Sequence, residues 1–167
     1  IGSLFLAARN LGPAWLFARN LKGDDKTIDA AVEKGKKDFV GFELPGRTLG
    51  VVGLGAIGLR FARLCDAMGM RVLGVDPFAK NLPGYIEAVD LPTLWRESDA
   101  ISLHCPLTPD NRQIINAHTL AQCKPGVILV NTARGGLVDE AALLAAITSR
   151  QVFAAGLDSF AIEPMAA

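Results

Sequence analysis

The order of elements around one glycine-rich turn limits the folds open to this chain. The turn reads Gly53-Leu54-Gly55-Ala56-Ile57-Gly58. Residues 48–52 before it are mainly apolar, as expected of a strand buried on both faces, and residues 57–68 after it have helical periodicity. In such a unit Gly53 allows a tight turn, Gly55 lets a ligand approach the backbone, and Gly58 lets the helix lie close to the strand.

An acidic residue, Asp76, ends the next apolar run, at about the 20-residue spacing that accompanies such a turn in dinucleotide sites. We therefore predict that the amides of Ala56 and Ile57 face a pyrophosphate and that Asp76 accepts hydrogen bonds from the adenosine ribose. A carboxylate there repels a 2′-phosphate, which favours NAD over NADP. Two alternatives stay open. The turn could be purely structural, with Asp76 as a strand cap. It could also bind S-adenosylmethionine, but the glycine pattern and Asp76-Pro77 favour a dinucleotide over that ligand.

Strand and helix patterns alternate along the rest of the chain, which predicts an α/β fold with a doubly wound parallel sheet of the Rossmann type. We expect strands over 48–52, 71–75, 86–89, 100–103, 127–130 and 153–157. We expect helices over 27–36, 57–68, 91–96, 117–122 and 139–149.

The first 22 residues have a helical pattern over 3–21, and Pro13 predicts a kink or break near Gly12. Trp15 and Phe17 are large side chains for a surface helix. Periodicity alone leaves two interpretations open: ordinary packing on the domain, or contact with a partner subunit.

Composition excludes several functional classes. Lys plus Arg and Asp plus Glu both total 17, so no net charge attracts nucleic acid or a membrane surface. The three cysteines, Cys65, Cys105 and Cys123, have no CxxC spacing, so we expect no disulfide framework and no metal site. The same cysteine pattern predicts a reduced, cytoplasmic setting, and we expect neither a signal peptide nor a membrane-spanning segment.

A second unusual segment follows the strand predicted over 127–130. There Arg134 stands among small residues in Thr132-Ala133-Arg134-Gly135-Gly136. Ligands of open parallel sheets bind at the carboxyl ends of strands, and a guanidinium suits a carboxylate with an adjacent keto group. A surface salt bridge is the alternative for Arg134. Asp139 is expected to cap the next helix, whereas spacing alone makes Asp158 and Glu163 ordinary loop carboxylates.

These segments together resemble the D-isomer-specific 2-hydroxyacid dehydrogenase family, most closely its D-3-phosphoglycerate dehydrogenase branch. The resemblance covers nearly the whole chain, and the segment around Arg134 is more specific than the glycine turn. It is carried by residues 46–58, by His104-Cys105-Pro106-Leu107-Thr108, by residues 131–140, and by Gly156-Leu157-Asp158 with Glu163-Pro164.

The resemblance implies two catalytic roles. Arg134 corresponds to the arginine that binds the substrate carboxylate and carbonyl. Glu163 corresponds to the glutamate that pairs with a catalytic histidine and raises its pKa. That histidine has no counterpart among the residues of this sequence, and we interpret His104 and His118 as structural.

The resemblance also implies contacts with the cofactor. Asp158 corresponds to the residue that holds the nicotinamide amide. Further residues would line the nicotinamide or the edge of the cofactor: Thr132, Ala133, His104, Cys105 and Pro106. Cys105 departs from the threonine or valine usual in the family, which puts a hydrogen bond from that side chain in doubt.

For the chain as a whole, the resemblance implies a single dinucleotide-binding domain, residues 1–167, without the family's substrate domain. Residues 1–22 would form a connecting helix and dimer arm, and residues 44–167 the Rossmann core. We expect a homodimer that transfers hydride between NAD and a D-2-hydroxy acid or 2-keto acid, with 3-phosphoglycerate as the expected substrate and a role in serine biosynthesis. These residues alone should bind NAD without turnover. The alternative is an NAD-responsive, non-enzymatic protein similar to a corepressor.

Overall fold

A computed structural model describes residues 1–163 of the chain. Its centre is one sheet of six parallel strands in the order β3-β2-β1-β4-β5-β6. The strands are β1 (Thr48–Val52), β2 (Arg71–Val75), β3 (Ile86–Ala88), β4 (Ala100–Leu103), β5 (Val127–Asn131) and β6 (Val152–Leu157). The predicted doubly wound α/β fold is confirmed, and each strand lies within about one residue of its predicted bounds.

Seven α-helices are present in this part of the chain. They are α1 (Gly2–Ala8), α2 (Leu11–Arg19), α3 (Asp25–Gly35), α4 (Ala56–Ala67), α5 (Leu91–Glu97), α6 (Ala117–Gln122) and α7 (Glu140–Thr148). Short 3-10 turns occur over Lys36–Phe39, Pro109–Asn111 and Gly135–Leu137.

The opening helix is broken, as predicted, but the break lies earlier than expected. Asn10 between α1 and α2 adopts a left-handed conformation with φ of 55°. Pro13 then occupies the first turn of α2, where an amide hydrogen has no intrahelical acceptor. The expected position near Gly12 was therefore wrong by about two residues, because a proline is accommodated in a helix start more easily than in a kink.

The core consists of two apolar clusters, one on each face of the sheet. On one face, Leu4 of α1 and Phe61 of α4 pack with Leu49 and Val51 of β1. The other face carries the buried side chains of α5, α6 and α7, including Leu94, Trp95, Leu120 and Leu143. Burial on both faces explains why the strands are continuous apolar runs rather than alternating patterns.

Helix α2 lies outside both clusters and has no buried residue. Trp15 is 58% exposed and Leu16 is 53% exposed. Phe17 packs against Phe39 of the following 3-10 turn, with ring centroids 5.0 Å apart. Ordinary packing therefore accounts for Phe17, whereas Trp15 is mostly exposed and has the Arg19 guanidinium 5.1 Å from its ring centroid.

Over residues 1–163, no helix combines the length and apolar character needed to cross a membrane. The same residues contain no group of three or more His, Cys, Asp or Glu side chains arranged to hold a metal ion. All three cysteines are free thiols.

Candidate functional site

The glycine turn connects β1 to α4 and requires its glycines for different reasons. Gly53 has a φ of +94°, and a Cβ there would lie 2.6 Å from the amide nitrogen of Cys105. A Cβ at Gly58 would lie well inside 3.0 Å of the Gly53 carbonyl oxygen. Nothing lies within 4 Å of the Cβ position at Gly55. Two glycines thus serve close backbone packing, and the third leaves open space in front of the turn.

The start of α4 offers backbone amides to an anion. The first bond into the helix from its cap runs from the Leu59 amide to the Gly55 carbonyl oxygen, at 2.9 Å. The amides of Ala56, Ile57 and Gly58 precede it, and no acidic residue occupies the first turn. Gly55, Ala56 and Ile57 are exposed. Unpaired amides together with the positive end of the helix dipole suit a pyrophosphate.

Asp76 follows β2, and its carboxylate is fixed by two backbone amides. One oxygen accepts from the Leu54 amide at 2.7 Å, and the other accepts from the Phe78 amide at 2.8 Å. The first bond ties Asp76 directly to the glycine turn, while Pro77 beside it is exposed. Each carboxylate oxygen keeps a further lone pair, so the capping role and acceptance from a ribose hydroxyl are compatible.

The loop after β4 brings His104 behind the glycine turn. Its ring lies 4.9 Å from the ring of Phe61, and Nε2 is 2.9 Å from the Ser102 hydroxyl oxygen. Burial lowers the pKa of His104. A neutral, packed imidazole of this kind holds α4 to the sheet, while the backbone of His104 and Cys105 lies against Gly53.

The following residues are organised by Asn111 at the end of a 3-10 turn. Its side-chain amide donates to the Pro106 carbonyl oxygen at 2.8 Å and lies 3.9 Å from the Cys105 sulfur. Burial is also the main cause that raises the pKa of the Cys105 thiol. Cys105 is therefore a neutral, half-buried thiol beside the turn.

Arg134 lies in the loop after β5, and Asn131 shapes that loop. The Asn131 side chain accepts from the Ala133 amide at 3.0 Å and donates to the Arg134 carbonyl oxygen at 2.9 Å. The Arg134 guanidinium is exposed and donates to the Ala133 carbonyl oxygen at 2.7 Å. No ion pair within residues 1–163 includes Arg134, so the salt-bridge alternative finds no partner there. Thr132 is exposed beside it.

The loop after β6 lies against the Arg134 loop. A Cβ at Gly135 would overlap the backbone of Phe160, so the two loops touch at this point. The Asp158 amide donates to the Asn131 carbonyl oxygen at 2.9 Å, and the Asp158 side chain is exposed. Glu163 accepts from the Phe160 amide at 2.8 Å. Pro164, the last residue of the resembling segment, lies outside the described residues.

Helix α7 is fixed by two carboxylates next to these loops. Asp139 accepts from the Ala142 amide at 3.1 Å, which confirms the predicted helix cap. Glu140 accepts from the Ala161 amide at 2.7 Å and so ties the loop after β6 to the start of α7.

Sequence reasoning missed the supporting roles of Asn131, Leu54 and Glu140. Of the three, Asn131 alone could have been recognised from its local sequence, because asparagine side chains often bond the backbone two residues further on. The other two contacts join residues far apart in the chain, and periodicity does not report such pairs.

All of these groups follow the carboxyl ends of parallel strands, which share one edge of the sheet. The glycine turn lies after β1, at the point where the strand order reverses between β1 and β4. Open α/β sheets bind ligands at such a switch point. Fold and site together define a dinucleotide-binding domain of the doubly wound type.

The chain belongs to the D-isomer-specific 2-hydroxyacid dehydrogenase family, because residues 11–167 match the NAD-binding domain of that family. NAD is accordingly its cofactor.

Two curated relatives illustrate the similarity. A hydroxypyruvate reductase of Thermotoga maritima is 50% identical over 129 residues, which is 77% of this chain and 42% of the relative. A D-3-phosphoglycerate dehydrogenase of Synechocystis sp. is 41% identical over 168 residues, covering 98% of this chain and 30% of the relative. The chain thus spans less than half the length of these relatives.

Solved structures agree with the fold. A D-lactate dehydrogenase of Salmonella matches with a TM-score of 0.79 and 34% identity, covering 95% of this chain and 45% of that one. A D-lactate dehydrogenase with NAD+ from Lactobacillus jensenii matches with a TM-score of 0.80 and 31% identity, covering 96% and 46% of the two chains.

Proposed function

We propose that this chain is the cofactor-binding half of an NAD-dependent oxidoreductase that acts on a D-2-hydroxy acid or its 2-keto acid. The observation that carries the proposal is Arg134. Its guanidinium is exposed, has no acidic partner in residues 1–163, and lies at the same sheet edge as the glycine turn. An arginine in this setting suits a substrate that has a carboxylate beside an oxygen at C2.

The cofactor, when bound, would exchange a hydride with C2 of the substrate, which NAD+ would accept from the hydroxy acid and NADH would give back to the keto acid. Arg134 orients the substrate carboxylate and stabilises negative charge that develops on the C2 oxygen. Glu163 holds the tautomer and charge of a histidine that exchanges a proton with that oxygen. The Phe160 amide already holds one Glu163 oxygen, which restricts the orientation of the carboxylate.

The remaining site residues act on the cofactor. The amides of Ala56 and Ile57 bind the pyrophosphate, and Asp76, with Pro77 beside it, binds the adenosine ribose. Asp158 holds the nicotinamide amide. The nicotinamide and the cofactor edge are lined by Thr132, Ala133, His104, Cys105 and Pro106, of which His104 contributes its backbone because its ring lies against Phe61.

The proposed substrate is 3-phosphoglycerate. It is supported by relatives named D-3-phosphoglycerate dehydrogenase, including one that aligns with 98% of this chain. Other relatives are named for hydroxypyruvate, D-lactate and glycerate, which share the 2-hydroxy or 2-keto acid group and differ beyond it.

The test is NADH oxidation by the full-length protein with 3-phosphohydroxypyruvate, hydroxypyruvate, pyruvate and glyoxylate. We expect the highest kcat/KM with 3-phosphohydroxypyruvate, and a higher value with another acid would overturn the substrate assignment only. Arg134→Lys should lower kcat/KM at least about 100-fold, because one point charge replaces a bidentate donor. Arg150→Lys, at the opposite edge of the sheet, is the matched control. Tight NADH binding without turnover of any acid would instead support an NAD-responsive, non-enzymatic protein.

We also propose that residues 1–22 form a homodimer arm beside a Rossmann core over residues 44–167. Support comes from α2, on which Leu11, Trp15 and Leu16 are exposed apolar side chains. Patches of this kind mark protein contacts more often than free surface. Trp15→Asp should shift the mass measured by light scattering from dimer to monomer, and an unchanged mass would exclude this surface.

A further inference from the structure

Asn131, the last residue of β5, is one of the few polar residues that this structure buries completely. Its side chain is 0% exposed, and it makes two hydrogen bonds to the loop that follows. The oxygen accepts from the Ala133 amide, and the nitrogen donates to the Arg134 carbonyl oxygen. A buried amide that is fully paired holds its partners in place, because leaving either group unpaired in the interior is costly.

We propose that Asn131 is a positioning residue that fixes the backbone from which Arg134 projects. This inference rests on the proposed function, in which Arg134 binds the substrate carboxylate. Arg134 has an extended backbone, with φ of −145° and ψ of 136°, and belongs to neither β5 nor the 3-10 turn that follows. The 3-10 turn holds Arg134 through its carbonyl oxygen, which accepts from the Leu137 amide at 3.2 Å.

The Arg134 side chain does not anchor the loop either. Its hydrogen bond is to the carbonyl oxygen of Ala133, its immediate neighbour, and its head group is exposed. The loop is fixed by the two bonds from the Asn131 side chain, by the Leu137 amide, which donates to the Arg134 carbonyl oxygen, and by the contact of Gly135 with the Phe160 backbone. The Asn131 side chain thus holds the loop at both Ala133 and Arg134, whereas the Leu137 bond belongs to the 3-10 turn that follows.

Asn131 also connects this loop to Asp158. The Asn131 carbonyl oxygen accepts the Asp158 amide at 2.9 Å. One buried residue therefore sets the relative positions of the proposed carboxylate-binding arginine and the proposed nicotinamide-binding aspartate. A displacement near 1 Å of such groups is enough to lower the rate of reaction about 100-fold.

Asn131→Asp separates positioning from simple stabilisation. Aspartate has the same shape and keeps an oxygen for the Ala133 amide. When ionised, its second oxygen faces the Arg134 carbonyl oxygen and repels it, whereas the protonated acid has an O–H that restores the lost donor. Activity that depends on this donor should therefore recover in the variant as the pH falls.

The experiment compares wild-type and Asn131→Asp full-length protein in NADH-dependent reduction of 3-phosphohydroxypyruvate between about pH 5.5 and pH 8.5. At the alkaline end the variant's kcat/KM should be about 10- to 100-fold below wild type, with the affinity for NADH within about 3-fold. Dividing the variant's kcat/KM by the wild-type kcat/KM at each pH removes the effect of groups that titrate in both proteins. That ratio should rise towards acid pH.

Asn116→Asp is the matched control. Asn116 caps α6, accepts from the His118 and Thr119 amides, and donates to the Gln113 carbonyl oxygen at 2.8 Å. Its substitution removes the same kind of donor from a residue outside the proposed site. We expect a small change in thermal stability and a ratio of kcat/KM near one at every pH.

Two results would overturn the inference: wild-type kcat/KM in Asn131→Asp, or a loss that does not vary with pH and simply follows thermal stability. If the wild-type protein reduces no 2-keto acid, the proposed function fails, and the inference is tested by hydrogen exchange in the same full-length protein. The Ala133 amide, which donates to the Asn131 side chain, should then exchange faster in Asn131→Ala than in wild type, and equal rates would refute the positioning role.

Discussion

Two alanine substitutions in the glycine turn are expected to separate folding of the domain from binding of its cofactor. In Gly58→Ala the new Cβ meets the Gly53 carbonyl oxygen well inside 3.0 Å, and this backbone atom belongs to the turn and cannot rotate away. Overpacking of this severity costs about 3 kcal/mol, and the better helix propensity of alanine offsets up to about 1 kcal/mol. The net loss of unfolding free energy is about 2 kcal/mol.

Gly55→Ala should behave in the opposite way. Nothing lies within 4 Å of its Cβ position, and the backbone there has a φ of −69° that alanine adopts without strain. Its unfolding free energy should stay within about 1 kcal/mol of wild type. The added methyl group occupies the space through which a pyrophosphate reaches the amides, so NADH affinity should fall at least about 10-fold.

Urea unfolding followed by circular dichroism, and NADH binding followed by calorimetry, measure the two quantities independently. Gly84→Ala serves as a control, because its Cβ position is also open and it lies outside the turn. Wild-type stability in Gly58→Ala would refute the packing argument. Wild-type NADH affinity in Gly55→Ala would show that the cofactor does not approach the turn.

Three further predictions follow from the site and the core. Asp76→Ala removes a ribose acceptor and the bond to the Leu54 amide, so the Kd for NAD should rise and the preference for NAD over NADP should shrink. If calorimetry gives the same ratio of the two Kd values as in wild type, Asp76 does not contact the ribose. Burial lowers the pKa of His104 below its ordinary 6.5, so the unfolded state binds more protons and the unfolding free energy should fall as the pH drops through 6.5. Urea unfolding of His104→Gln should show a smaller fall, and an equal fall would mean that other groups cause the pH dependence. Burial raises the pKa of both Cys65 and Cys123 to about 11, so a thiol reagent at about pH 8 should modify them slowly in the folded protein and quickly in urea. Equal rates of modification in the two conditions would contradict their burial.

The elements of the sheet could be predicted because each parallel strand is a short apolar run bounded by glycine or polar residues. β1 and β2 coincide with their predicted ranges, and α4 begins within about one residue of its prediction. The break at Asn10 could not be placed, since a left-handed residue leaves no periodic signal.

Part of the candidate site could likewise be predicted from the sequence, and part of it could not. Motifs identified Asp76 and Arg134 as residues of interest, because their types and spacing carry chemical meaning. The contacts that fix them, from Leu54 and from Asn131, are set by packing of the turn and of the strand ends. The contact between Gly135 and Phe160 joins two loops across α7 and β6, and no local pattern in the sequence encodes it.

The docking of α1 on β6 has a consequence for the order in which the chain assembles. Ser3 lies so close to Gly156 that a Cβ at the glycine would be 2.6 Å from the serine Cβ. The apolar face of α1, with Leu4 and Ala8 completely buried, also packs against β1, but its contact with β6 forms only after nearly all of the described chain has left the ribosome. Until then the part of α1 that covers β6 lacks that partner, and contacts between distant parts of a chain form slowly. We expect the docking of α1 on β6 to be a late step in the assembly of this part of the chain.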